Sequence, residues 1–312
     1  MAQEDLTGRT IASYHLLERV GEGGTATVYR AEHSERGNCA VKILHQRSRN
    51  DATAVKRFLR EAGYGSRVVD PHVVRTYDYG EEDGLYYLAL EWAEGEILAE
   101  FAERSGPLPP KTVSAIVSQL ASALGAAHAA GIIHRDLKPE NIIYNPATGD
   151  VKLLDFGIAR DAQQDPSERL TRTGFFVGSL NYVAPEALSG ALVDEKADIY
   201  SLATIAYYLL SGRHPHGGRS PREIFQQLLN EDATPLNDSA VGIRFNPQLE
   251  AAVMKSLSRD PAQRHPTVKA FADALAATAS LPANAPGKAT DSGGGGSGVG
   301  GLFGAIFKRK KK

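Results

Sequence analysis

One loop carries the residues most able to do chemistry: His134-Arg135-Asp136-Leu137-Lys138-Pro139-Glu140-Asn141, followed by Asp155-Phe156-Gly157 after a strand-like run. A merely solvated charged loop does not need this order of base, cation and amide. Two segments upstream could hold an anionic ligand. In Gly21-Glu22-Gly23-Gly24-Thr25-Ala26-Thr27-Val28 the glycines let a backbone approach phosphate oxygens and offer N–H donors with no Cβ in the way. A glycine-rich hairpin turn accounts for the same residues, and the strand-like run that follows argues against a Rossmann turn, which needs a helix there. Lys42, in Cys39-Ala40-Val41-Lys42, is a lone cation in an apolar run. It reads either as a solvated lysine or as a cation that Glu61, on the next helix, could hold toward an anionic ligand.

Two kinds of structure must position these residues. Residues 14–20, 25–31, 39–44, 73–79 and 85–91 alternate with period two, which predicts a small antiparallel sheet. One helix interrupts it, with Val55, Phe58, Leu59 and Ala62 at three- and four-residue intervals and Asp51 as its cap. From about residue 97 to 275 the pattern is helical, with long runs over 112–130 and 194–211 and shorter ones over 221–230, 247–258 and 267–276. Two lobes of different class predict a ligand cleft between them.

Composition narrows the function classes. A chain of 312 residues has room for about two lobes, and 42% hydrophobic with 23% charged residues excludes disorder throughout. The single cysteine, Cys39, excludes an intrachain disulfide and fits a reducing compartment. A net charge of −2 argues against a general nucleic-acid binder, the more so because residues 308–312 are all cations and leave the rest more acidic. The opening MAQEDLTGRT lacks the apolar run of a signal peptide, and no run of about 20 apolar residues occurs, so a cytoplasmic location is expected. Near Leu281 the pattern gives way to a Pro/Ala-rich and then Gly/Ser-rich stretch that reads as a linker.

Taken together, the motifs resemble the protein kinase superfamily, and most nearly its bacterial Hanks-type (eukaryotic-like) serine/threonine kinases, over about residues 11–278. The glycine loop, Ala40-Val41-Lys42, Glu61, His134-Arg135-Asp136, Asn141, Asp155-Phe156-Gly157 and Ala184-Pro185-Glu186 occur in the family's order. Ala26 stands where a third glycine is usual, and Ser179 where threonine is commoner. The resemblance implies an α+β, bilobal protein-kinase-like fold. Its N-lobe (11–93) would be an antiparallel sheet plus one helix, and its C-lobe (94–280) mainly helical. An extension (1–10), the linker (281–298) and a short apolar-basic tail (299–312) would flank them.

By the same resemblance the chain would transfer the γ-phosphoryl group of Mg-ATP, with Mn2+ as the alternative metal, to Ser/Thr hydroxyls of protein substrates. Asp136 would take or orient the hydroxyl proton, and Lys138 would stabilise the transferring group and mark Ser/Thr specificity. Lys42, paired with Glu61, would contact the α- and β-phosphates, and Asn141 and Asp155 would hold the metal. Gly21, Glu22, Gly23 and Gly24 would cover the phosphates, Val28 and Ala40 would roof the adenine, Leu90 would be the gatekeeper, and Glu91, Trp92 and Ala93 would form the hinge. Thr171 and Thr173 are the expected autophosphorylation sites, with Arg135 receiving the phosphate. Asp198 would brace the catalytic loop, and Glu186 with Arg264 would form a buried structural pair. His128 and His214 read as surface or packing residues.

The tail 299–312 reads either as an interfacial anchor on anionic lipid, giving peripheral contact with the inner membrane face, or as a solvated end. Two rival functions remain at this point: a pseudokinase scaffold, and an interaction module recruited to membranes through the tail. No nucleic acid is expected as a partner; a kinase-domain homodimer for autophosphorylation in trans is.

Overall fold

The computed structural model describes residues 5–154, 180–189 and 193–283. Six strands, β1 (Thr10–Ile11), β2 (Tyr14–Glu22), β3 (Ala26–His33), β4 (Gly37–Leu44), β5 (Thr76–Glu82) and β6 (Leu85–Glu91), form one antiparallel sheet ordered β1-β2-β3-β4-β6-β5. Alternation along each strand divides the sheet into two faces, because residues opposite one another and residues two apart point the same way. On β4, Cys39 and Val41 are fully buried on one face while Ala40 and Lys42 are only partly covered on the other.

The first face buries Leu16, Tyr29, Ala31, Cys39, Val41, Ile43 and Ala89 in a core of its own. The chain joins this core before residue 11: Leu6 is 3% exposed, and its N–H donates to the Tyr29 hydroxyl at 3.2 Å. Against the second face lies α2 (Ala52–Gly65), preceded by the single turn α1 (Gln46–Arg49). Phe58 and Ala62 of α2 pack on Ala26, Leu44 and Leu88. As expected, Asp51 caps α2: its Oδ1 accepts the N–H groups of Thr53 and Ala54, otherwise orphaned in the first turn.

The second lobe opens with β7 (Glu96–Ile97), which forms a small antiparallel sheet with β8 (Ile142–Tyr144) and β9 (Val151–Leu153). Its helices are α3 (Leu98–Ser105), α4 (Pro110–Ala129), α5 (Pro185–Leu188), α6 (Glu195–Ser211), α7 (Pro221–Asn230), α8 (Leu236–Ser239), α9 (Pro247–Ser256) and α10 (Val268–Thr278). Helix α6 is the pillar of this lobe, buried over nearly its whole length. It tolerates its hydroxyls inside because each finds a carbonyl: Ser201 that of Tyr182, Thr204 that of Tyr200, Ser211 that of Tyr207. Asp194 caps its start and Gly212, at φ 70°, ends it.

Among the described residues two backbone segments link the lobes. The chain passes from β6 to β7 through residues 92–95, where Gly95 has φ 131° and a Cβ would lie 2.5 Å from the Tyr144 carbonyl oxygen, so only glycine fits. The other corrects a sequence expectation. Residues 73–79 were expected as one strand, but regular pairing with β6 begins at Thr76, while the Val74 N–H donates to the Leu153 oxygen and the Leu153 N–H to the His72 oxygen. Backbone at 72–74 is thus committed to β9 of the other lobe. Among the described residues no helix is long and apolar enough to cross a membrane.

Candidate active site

Strand register places several of the expected residues on one face of the first sheet. Gly21 lies opposite Val28, Val28 opposite Lys42, Lys42 opposite Leu88, and Ala40 opposite Leu90. All belong to the α2-facing side, toward the second lobe. Lys42 Nζ reaches Glu61 Oε1 on α2 at 2.7 Å, with the two side chains 16% and 17% exposed. A charge-assisted contact between a strand and a helix that share no turn fixes where the ammonium points. The glycine turn above is held at its ends: Gly23 donates to the Ala26 oxygen at 2.9 Å, and Arg47 donates to the Gly24 oxygen at 2.8 Å. Beneath it the His45 ring meets the Thr27 hydroxyl at 3.2 Å, and burial holds that imidazole below its ordinary pKa, in the neutral form.

In the second lobe the loop between α4 and β8 is tied down from below. Asp198 of α6, itself without exposed surface, accepts the backbone N–H groups of His134 at 2.9 Å and Arg135 at 3.0 Å. Arg135 has φ 63°, a left-handed conformation that a non-glycine residue keeps only when its surroundings impose it. That geometry turns the loop so that Asp136, Lys138 and Asn141 converge. Lys138 Nζ is 3.2 Å from Asp136 Oδ2, and the Asn141 amide nitrogen donates to the Asp136 carbonyl at 2.9 Å. The amide oxygen of Asn141 accepts no hydrogen bond from a described residue. Asn141 is pinned in turn by its own carbonyl, which accepts the Leu154 N–H at 2.9 Å.

His128, expected only as a surface or packing residue, belongs to this support: its ring is 7% exposed and its Nε2 lies 2.7 Å from Asp198 Oδ2. His214 does pack, stacked on Tyr208 and edge-on to Tyr182. Glu186 and Arg264 form a two-pronged pair at 2.7 and 2.8 Å, with Arg264 also donating to the Ser258 and Lys196 carbonyls and lying over the Tyr200 ring. At the interlobe connection Glu91 does more than end a strand. Its carboxylate takes Lys152 Nζ of β9 at 2.6 Å and the Arg75 N–H at 3.1 Å, an interlobe tie that no sequence motif signalled. Asp155, Thr171, Thr173 and the tail 299–312 lie outside the described residues.

Residues 14–275 match the model of the protein kinase domain, and the chain belongs to that family. Within it, the chain is similar to serine/threonine-protein kinases of bacteria. It is 37% identical to pkn3 of Myxococcus xanthus over 86% of this chain and 50% of that protein. With PrkC of Bacillus subtilis it shares 37% identity over 85% of this chain and 40% of the relative. The chain therefore spans half or less of the length of these curated relatives. The crystal structure of the Mycobacterium tuberculosis PknI kinase domain superposes with a TM-score of 0.66 at 30% identity, covering 89% of this chain and all of that one.

Proposed function

We propose that this chain is a serine/threonine protein kinase that moves the γ-phosphoryl group of ATP to hydroxyls of protein substrates, Mg2+ being the metal. The observation that carries the reading is the Lys42–Glu61 contact in one lobe together with a loop of the other lobe that gathers Asp136, Lys138 and Asn141. A polyphosphate suits this face: one oriented ammonium, a glycine turn with no side chains in the way, and half-covered Val28, Ala40 and Leu90 beside it. A divalent cation suits Asn141, whose amide oxygen accepts no hydrogen bond from a described residue.

In this reading ATP supplies the transferable group, and Asn141 and Asp155 would hold a divalent cation that would offset charge on the phosphate oxygens. Lys42 holds the α- and β-phosphates, and Glu61 keeps the ammonium from swinging out of line. Asp136 accepts the hydrogen of the incoming hydroxyl and aims its oxygen for in-line attack. Lys138, leaning on Asp136, supplies positive charge where the transferring oxygens gather it. The backbone of Glu91 and Ala93 takes the adenine edge, with Leu90 behind it. Thr171 and Thr173 are the self-modified residues, and Arg135 receives the phosphate.

The test is phosphosite mapping by mass spectrometry after incubation with Mg-ATP, beside Asp136→Asn from the same host and with casein as added substrate. Phosphate on Thr171 or Thr173 in the wild type alone, with labelled casein serine or threonine, supports the reading. Absence of phosphate from both the chain and casein overturns it, and the nucleotide-binding scaffold takes its place.

A further inference from the structure

On the outer side of the first lobe, a cleft of about 330 Å³ is lined by Arg36, Arg75, Thr76 and Tyr77. The function proposed above uses none of them. Arg36 ends the tight turn between β3 and β4, just before Gly37 at φ 67°, and its guanidinium lies 4.6 Å from the centre of the Tyr77 ring. That cation–π contact sets the plane of the group while leaving its N–H donors available at the edges. Arg75 is anchored through its main chain: its carbonyl accepts the Glu91 N–H at 2.9 Å and its N–H donates to Glu91 Oε2.

What makes the cleft unusual is the fate of the nearby carboxylates. Glu91 spends its charge on Lys152, and Asp78 accepts from the Tyr87 hydroxyl at 2.9 Å and the Tyr79 N–H at 2.8 Å. Glu35, beside Arg36 in the turn, is exposed. Among the described residues neither Arg36 nor Arg75 is in an ion pair. Two guanidinium groups from separate elements, one of them lying over the Tyr77 ring, match an oxyanion that carries two charges and several acceptor oxygens.

We infer that the Arg36–Arg75 cleft is a binding site for a phosphate monoester or inorganic phosphate, separate from the nucleotide site. The inference stands whether or not the chain transfers phosphate. Its volume falls at the small end for ligand sites and suits one phosphorylated side chain or a free ion rather than a nucleotide.

Calorimetric titration of the whole chain in phosphate-free buffer tests it, with inorganic phosphate, an acetyl-Ala-Ala-phosphoserine-Ala-Ala-amide peptide and acetate as probes. Both phosphate probes are expected to bind one to one, Arg36→Gln and Arg75→Gln each to weaken them at least tenfold, and Lys42→Ala to leave them unchanged. Both arginines are exposed, and thermal melts of the variants confirm that they fold. Tighter binding of the peptide than of the free ion assigns the site to a phosphorylated side chain, and equal binding assigns it to free phosphate. The inference is overturned if neither probe binds, if binding survives the double arginine variant, if Lys42→Ala abolishes it, or if acetate binds as well as phosphate.

Discussion

Asp198 holds His134 by its backbone, not by its ring: the buried carboxylate accepts the His134 N–H at 2.9 Å from 64 residues away. The Arg135 N–H occupies the other oxygen, and His128 approaches the first at 2.7 Å. One acidic group thus fixes the left-handed turn from which Asp136 projects. In Asp198→Asn a single amide oxygen must replace two carboxylate oxygens, leaving a buried N–H unpaired at a cost of about 1–3 kcal/mol. Chemical denaturation should register that loss. Phosphoryl transfer per folded molecule should fall about 100-fold, as misplacement of a reacting group does. His128→Phe keeps both N–H bonds and should cost less on each measure.

The Lys42–Glu61 contact should affect both measures as well. Its side chains are only 16% and 17% exposed, so Glu61→Gln should cost about 1–3 kcal/mol of folding stability. If the carboxylate aims the ammonium, kcat/KM for ATP should drop about tenfold or more, equivalent to ~1.4 kcal/mol of transition-state stabilisation. Steady-state kinetics over an ATP series, beside a denaturation curve, separates the two quantities. An unchanged kcat/KM would remove Glu61 from the site.

These two cases differ in how they could be read from the residues alone. Lys42 and Glu61 lie on elements whose periodicities are plain, and β4, α2 and β6 all appear where the alternation and the Asp51 cap predict them. The loop 134–141 carries its meaning in residue order, and resemblance supplies the roles. What sequence could not show is which side chains meet across long separations. His128 sits in the last turn of an alanine-rich helix, and nothing local says that Asp198 lies 2.7 Å away. Lys152 lies on a three-residue strand, and its tie to Glu91 exists only because the lobes pack there. Residues 73–79 misled for the same reason: alternation signals extended backbone but not which partner will pair with it.

Arg264 separates a structural defect from a catalytic one. Its side chain is fully buried, and it meets Glu186 with both prongs of its fork. Arg264→Met strands the Glu186 carboxylate and should cost about 3–5 kcal/mol. Arg264→Lys should recover only part of this, because an ammonium cannot reproduce the fork or the stacking over Tyr200. Specific activity corrected for the folded fraction should stay near wild type in both. A variant that is stable yet inactive would contradict the structural assignment.

Acid should unfold this chain through its buried histidines. Burial lowers His214 to about 4, and His216 and His265 shift in the same direction for the same reason. A ring whose folded pKa lies below its unfolded value near 6.5 binds its proton first in the unfolded chain. Stability is therefore whole above about pH 6.5, falls as the pH drops toward 4, and levels off below that. For His214 alone the loss across the window amounts to about 3 kcal/mol. His214→Phe keeps the stacking on Tyr208 and removes the titration, so its stability should decline less steeply between pH 6.5 and 4. Denaturant midpoints measured at half-unit intervals across that window would show the difference in slope, and parallel curves for the two proteins would exclude His214 as a source of the acid sensitivity.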